Sequence, residues 1–501
     1  MKKMTLKMRL LSGLVIVSIA LAAGSCAQGA DCDEVFSAGV TNTQLESPEL
    51  DNSSFTPFET EEGMKLQVSW PVVYGAGGYE VKVANAETPE ELLFDAVVDG
   101  CTVMVPGVAE YQTYAVSVKT LGNKRYNNSE AQTASAYNYT VAPTRISLPS
   151  SCEISTYITE HYQAPTAPSL GVIYQLEAGG TYTLDAPIDF NVDKVQLLGD
   201  AENRPTITIS GSGALLTQAG LQVRNINFDC TSATNRGLIM MSPNPNSKIS
   251  TANLGYKADG ANQDCFVIVD PIIFADCWVK NLPNAFLDDN QKKYALADFR
   301  IDNSIIQLKN EGTNGFIKFD KGGYLIQKMT WTNSTIYNSV QNDNEVYAIR
   351  FSNQSNAQPK KVFGNSRNFL EYTIKDCTIA RIFPKKDWAN NLPNTQNNNK
   401  LWCHIENTLF FDIYRLEKFI QSQWYTTTPN NVLFCSPKAK YNANDASKKD
   451  KLGNAWTLNE DPGFTETSFP ALRLDAPNGG LNLKATSGTL APTIGDPRWL
   501  N

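Results

Sequence analysis

LQVRNINF at 221–228, IIFADCWV at 272–279, FRIDNSII at 299–306, MTWTNSTI at 329–336, YTIKDCTI at 372–379 and CHIENTLF at 403–410 are versions of one phrase. Each reads apolar-x-apolar-x-Asn/Asp-x-x-apolar, with its polar pivot at Asn225, Asp276, Asn303, Asn333, Asp376 or Asn407. Every apolar slot is filled in a chain that is 42% hydrophobic, so composition alone does not account for the pattern. Alternation before the pivot describes a strand with one buried face. The pivot turns the chain, and a second strand follows.

The pivots stand 51, 27, 30, 43 and 31 residues apart. A strand-turn-strand unit that returns at such intervals is the signature of a solenoid, here an all-β, parallel β-helix. The 51-residue interval fits two coils, and the 43-residue interval fits one coil with an insertion around Asn353–Arg367. Coils stacked about 4.8 Å apart bring successive pivots within hydrogen-bonding reach, as a ladder. A β-sandwich whose turns favour Asn is the alternative.

The N-terminus carries Lys2, Lys3, Lys7 and Arg9, then an apolar run from Leu10 to Ala23. Such a run is a secretory signal, too short for a lasting membrane span. LAAGSC at 21–26 resembles a bacterial lipobox, which implies loss of residues 1–25 and lipidation of Cys26. Acyl chains on that residue would be the only membrane contact. The acidic stretch Asp31–Glu34 resembles the export signals of Bacteroidota lipoproteins, which implies an outer-membrane lipoprotein exposed at the cell surface. Removing the four leading cations takes the net charge from −8 to −12. That excess argues against nucleic acid or another polyanion as partner.

Ten cysteines in an exported chain invite a disulfide reading. Cys277 and Cys377 follow pivots three coil steps apart, roughly 14 Å, which is too far for a bridge. Cys403 holds an inward strand position, so the expectation is buried free thiols. No Cys or His pair has metal-ligand spacing, so no metal centre is expected. With only His161 and His404, a Ser-His-Asp triad is not expected either.

Residues 26–60 read as a polar tether after the anchor. Over residues 61–142 short alternating strands recur, with Trp70 early and YAVSV at 114–118 late. This stretch resembles a fibronectin type III module, which implies a small β-sandwich and a spacer role. In residues 143–501, GGTYTL at 179–184 and VQLLGD at 195–200 resemble the opening coils of pectate-lyase-like right-handed parallel β-helices. The closing DPGF at 461–464 and IGDPRW at 494–499 resemble the tail of Bacteroidota surface lipoproteins that join these two domains. That resemblance implies association with polysaccharide utilisation, with polysaccharide, including uronate-containing chains, as ligand and outer-membrane glycan importers as partners.

A third strand is readable after two of the pivots, GFIKFD at 315–320 and YAIRFS at 347–352. With Ile317, Phe319, Ile349 and Phe351 inward, Lys318 and Arg350 point out from adjacent coils, with Asp320 beside them. Asp288 stands at the matching place one coil earlier. Asp288, Lys318, Asp320 and Arg350 are therefore the candidate ligand-binding strip. In pectate-lyase-like enzymes acidic sugar chains lie on such a face. A Lys or Arg there can neutralise a uronate or remove its neighbouring carbon-bound proton. Trp278, Trp388 and Trp424 are candidate platforms for sugar rings. The leading expectation is a cell-surface glycan-binding lipoprotein without a cofactor. A polysaccharide lyase with Lys318 or Arg350 as catalytic base, with Ca²⁺ as an optional helper, is the alternative. Adhesion or a structural surface role is the third.

Overall fold

The computed structural model describes residues 40–60, 62–165, 170–258, 261–319, 325–342, 344–351, 359–364, 369–386, 388–389, 400–414, 425–435, 456–458, 462–464, 469–487 and 493–500. Cys26, Asp320 and Trp424 lie outside the described residues. The chain divides into two compact units, Met1–Thr144 with Pro165–Leu170, and Arg145–Ala164 with Gly171–Asn501.

In the first unit Phe55–Thr60, Gly63–Ser69 and Thr102–Pro106 form one antiparallel sheet. Leu92–Val98, Tyr79–Asn85, Thr113–Thr120 and Ser135–Thr140 form a second. Burial alternates residue by residue along Thr113–Thr120, so one face of each sheet is apolar. Leu66, Val68 and Trp70 from one sheet and Val81, Val116 and Val118 from the other share a single core. The result is a β-sandwich. The Ala109 N–H donates to the Tyr114 hydroxyl (2.8 Å), pinning the loop that leads into Thr113–Thr120.

The second unit is a right-handed parallel β-helix. One coil consists of Leu221–Arg224, Asn227–Ala233 and Gly237–Met241. The next, Ile272–Ala275, Trp278–Leu282 and Ala285–Asp288, pairs with it strand for strand in parallel. Tyr294–Asp302, Ile305–Leu308 and Ile317–Phe319 stack on that coil, and Leu325–Thr332, Thr335–Asn338 and Ile349–Phe351 stack in turn. The interior is filled by an aromatic column. Phe274 meets Phe286 (centroids 4.8 Å apart), Phe286 meets Phe316 (5.2 Å) and Phe316 meets Trp331 (5.3 Å).

Every pivot sits in the left-handed backbone region: φ is 57° at Asn225 and Asp276, 43° at Asn303, 49° at Asn333, 53° at Asp376 and 44° at Asn407. Asn and Asp tolerate this conformation better than other side-chain-bearing residues, and one such residue makes the corner between strands. The expected ladder forms in segments. Asn303 Nδ2 donates to Asp276 Oδ1 (2.7 Å), Asn407 Nδ2 to Asp376 Oδ1 (2.9 Å) and Asn431 Nδ2 to Asn407 Oδ1 (3.2 Å). At Asn333 it steps sideways, to Asp302 Oδ1 (3.0 Å). In the second coil the corner is Gly199, where a Cβ would stand 2.1 Å from the Asn225 carbonyl oxygen.

A second stack follows the corners inward: Cys277, Ser304, Ser334, Cys377 and Thr408. Ser304 Oγ donates to the Asp302 carbonyl (2.7 Å) and accepts the Cys277 N–H (3.2 Å), while the Ser304 N–H donates to Ser334 Oγ (3.1 Å). Cys277, Cys377 and Cys403 are buried free thiols. Burial pushes the Cys277 thiol up to about 12.

The 51-residue interval holds one coil, not two, because Leu221–Arg224 pairs directly with Ile272–Ala275. The extra length is an antiparallel hairpin, Thr251–Ala258 with Ala261–Ile268, whose second strand extends the first sheet by pairing with Tyr294–Leu296. The 43-residue interval is one coil with an insertion, as expected, and contains the short helix Pro359–Phe363, which packs on Thr251–Ala258.

The C-terminal residues 469–487 and 493–500 lie as a strap over the outer face of the strands that follow the corners. Phe469, Leu472, Ile494 and Trp499 pack on Ile305, Tyr337, Ala380 and Leu409. Arg498 donates to Asn303 Oδ1 (2.7 Å) and to the Asn333 carbonyl (3.0 Å). Thr335 Oγ1 donates to Asp496 Oδ2 (2.7 Å) and accepts the Trp499 indole N–H (2.8 Å).

Candidate functional site

The third strands take the register read from the sequence: Asp288 pairs with Lys318, and Lys318 with Arg350. Ile317, Phe319, Ile349 and Phe351 are fully buried inside the coil. The outward side of this strip is nevertheless closed, which corrects the expectation of an accessible binding strip. Asp288 is 0% exposed and Lys318 only 9%. The Asp288 carboxylate accepts from Arg236 Nε (3.2 Å), Arg236 Nη2 (3.3 Å) and the Asn290 N–H (2.7 Å), and Lys318 Nζ lies 4.0 Å away. The turn after the strand folds back over it, with Asn290 at φ 51° and its amide donating to the Met241 carbonyl (3.1 Å). Burial raises the Asp288 carboxyl pKa, against the opposing pull of Arg236 and Lys318. Arg350 is half-buried beside them. Charges enclosed in this way neutralise one another and hold the strand to its turn.

Two of the expected platforms are also closed. Trp278 points outward, but the Arg204 guanidinium lies 5.0 Å over its ring centroid and the strap core borders it. Trp388 is 1% exposed and belongs to the interior, its ring 5.0 Å from that of Trp331. It continues the third-strand position one coil on, where its carbonyl accepts the Ile349 N–H (2.9 Å).

The strap covers the post-corner strands, and the outer face of the pre-corner strands is the open one. The residue just before each repeated phrase points outward there, and parallel pairing aligns Asp298, Lys328, Glu371 and Trp402 in one column. Beside it runs a second column, Arg300, Thr330, Thr373 and His404. Lys328 is exposed, and Trp402 is 37% exposed. Four rung steps from Pro271 to Trp402 span about 19 Å.

At one end of this face is a pocket of about 290 Å³, lined by Asp298, Arg300, Lys328 and Glu371 and walled by Val269 and Pro271 from the hairpin's return. Arg300 Nε donates to Asp298 Oδ2 (3.0 Å), and that hydrogen bond raises the guanidinium pKa further. Lys328 lies in register between Asp298 and Glu371. The face therefore presents fixed donors, fixed acceptors and one indole, without a positioned nucleophile-base pair. Among the described residues no group of three His, Cys, Asp or Glu is placed to hold a metal ion.

The fold places the second unit among right-handed parallel β-helices, with a face that is open and polar. A family model described as a domain of unknown function (DUF4992) matches residues 1–175, and another (DUF4957) matches residues 180–339. No curated protein matches the chain. Among solved structures the chain is similar to a pectate lyase from Erwinia chrysanthemi in complex with tetragalacturonic acid, at 9% identity over 80% of this chain and 87% of that one, with a TM-score of 0.15. It is also similar to a family 28 exopolygalacturonase from Yersinia enterocolitica, at 11% identity over 83% of this chain and 97% of that one, with a TM-score of 0.14.

Proposed function

We propose that the chain is a cell-surface glycan-binding lipoprotein that captures polysaccharide on the open face of its β-helix for a polysaccharide-utilisation system. The observation that supports this reading best is the outward column Asp298, Lys328, Glu371 and Trp402, which runs from a walled pocket to an exposed indole. Sugar chains are extended, rich in hydroxyls and apolar on one ring face, and this column offers matching partners along one line. In the same proposal Cys26 carries the lipid, residues 26–60 form the tether, and the N-terminal sandwich, resembling fibronectin type III, holds the helix off the outer membrane. Outer-membrane glycan importers receive the chain it captures.

The elimination alternative assigns Lys318 or Arg350 as base, with Ca²⁺ as helper, and it fits the geometry less well. A base must reach the proton it removes, and Lys318 is 9% exposed against a buried carboxylate. Affinity electrophoresis of the full chain through gels containing plant and bacterial polysaccharides tests the proposal. Retardation by at least one glycan is expected, and Trp402→Ala should weaken it about tenfold, or ~1.4 kcal/mol. Lys318→Ala should leave it unchanged. No unsaturated uronide should appear in the ultraviolet absorbance. Binding lost in Lys318→Ala but kept in Trp402→Ala would move the site to the third face.

A further inference from the structure

We infer that the pocket beneath the hairpin takes a neutral, hydroxyl-rich pyranose of a glycan chain, not a uronate; this rests on the glycan-binding reading above. The charges that line the pocket cancel, Arg300 and Lys328 against Asp298 and Glu371. The guanidinium of Arg300 is already committed to Asp298 through Nε (3.0 Å), within the same strand. Lys328 has a carboxylate in register on the rung at either side. Further along the face Lys375 is paired with Glu406 (3.2 Å). Each of these cations therefore has an anion on its own or the next rung, and no local positive excess offsets the net −12 of the chain without its leading segment.

A polyuronate laid along this column would bring carboxylates against Asp298 and Glu371, with every cation nearby already shared. Like charges in adjacent rungs are destabilising. A neutral pyranose meets the same groups differently. Each carboxylate can accept from a pair of neighbouring hydroxyls, Lys328 can donate to a ring or hydroxyl oxygen, and the indole of Trp402 offers a flat apolar surface to the C–H face of a ring farther along. Val269, 63% exposed, and Pro271 close the pocket with apolar groups that suit the same kind of ring edge.

The test is calorimetric titration of the full chain in detergent with neutral oligosaccharides (galactan, mannan and xylan fragments) and with oligogalacturonate. Each is measured at low salt and at about 0.5 M NaCl, where screening falls within a few ångströms. The inference expects a neutral oligosaccharide to bind with less than a twofold change across that salt range. Glu371→Gln should weaken it three- to tenfold, and Trp402→Ala about tenfold. Preference for oligogalacturonate, with affinity that falls tenfold in salt and rises in Glu371→Gln, would overturn the inference and leave glycan capture standing. Failure of every oligosaccharide to bind would overturn both.

Discussion

At Asn303 several demands converge on one side chain. Its backbone is left-handed (φ 43°), its amide donates to Asp276 on the coil before, and its carbonyl oxygen accepts from Arg498 of the strap. Alanine would keep none of these. The left-handed conformation costs it about 1–2 kcal/mol, and the lost hydrogen bonds add roughly 1 kcal/mol. Asn303→Ala should therefore destabilise the β-helix by about 2–3 kcal/mol, and Asn303→Gly, which regains only the backbone freedom, by about 1 kcal/mol. Urea unfolding of the two variants checks this, and equal losses would mean that backbone conformation plays no part. The corner was legible because it needs one residue type at one phase of an apolar pattern. The open column was legible in principle too, since Pro271, Asp298, Lys328, Glu371 and Trp402 each stand directly before a repeated phrase. Polar slots in a repeat carry no constraint from packing, so their alignment reveals nothing until the pairing partners are known.

At the level of elements, the strap and the hairpin decide which faces of the helix are available. Burial pushes the Asp496 carboxyl up to about 6 from an ordinary 3.8, although the Arg498 guanidinium in contact with it pulls the other way. The docked strap thus holds this proton more tightly than the unfolded chain does. Its contribution is complete below the unfolded value and is lost as pH rises through about 6. The thermal midpoint of the wild type should therefore fall relative to that of Asp496→Asn between about pH 4 and pH 6.5. Curves that stay parallel across that window would remove Asp496 from the account. The hairpin shows why element counting from spacing failed. Two β-strands in a long interval look like coil strands, and only their pairing makes them an insertion. The signal that distinguishes them is Asp259-Gly260 between the paired residues Ala258 and Ala261, a dipeptide that favours two-residue hairpin turns over a solenoid corner. Lys318 failed for a related reason: strand phase says which side faces out, while the turn that closes over it belongs to a different level of structure.

In the whole β-helix, stability is carried along one dimension until the strap intervenes. Each coil packs on its neighbours alone, so a defect should spread only to adjacent coils. The strap breaks that locality at one end. It is bonded to Ser304 and Gln307 in one coil, to Asn333, Thr335 and Tyr337 in the next, to Thr378 in the one after and to Asn407 beyond that. Four successive coils thus share one covering segment, while the coils from Val172 to Met241 have only their neighbours. Ile209 and Ile336 are both fully buried, and replacing either with Ala should cost about 2–5 kcal/mol at its own site. The consequences should differ in reach. Ile209→Ala should lower amide hydrogen-exchange protection within residues 172–241 and leave 299–380 protected. Ile336→Ala lies in the strand Thr335–Asn338 beneath the strap, so it should lower protection across residues 303–411 and 469–500 together. A uniform loss in both variants would show one cooperative block, and a loss confined to one coil in both would show that the strap binds without coupling. The separation of the two responses matters for the open face, because the column from Asp298 to Trp402 lies on the strapped coils. Its side chains would then be held in register by a segment on a different face of the same helix, and binding there should raise protection of the strap as well.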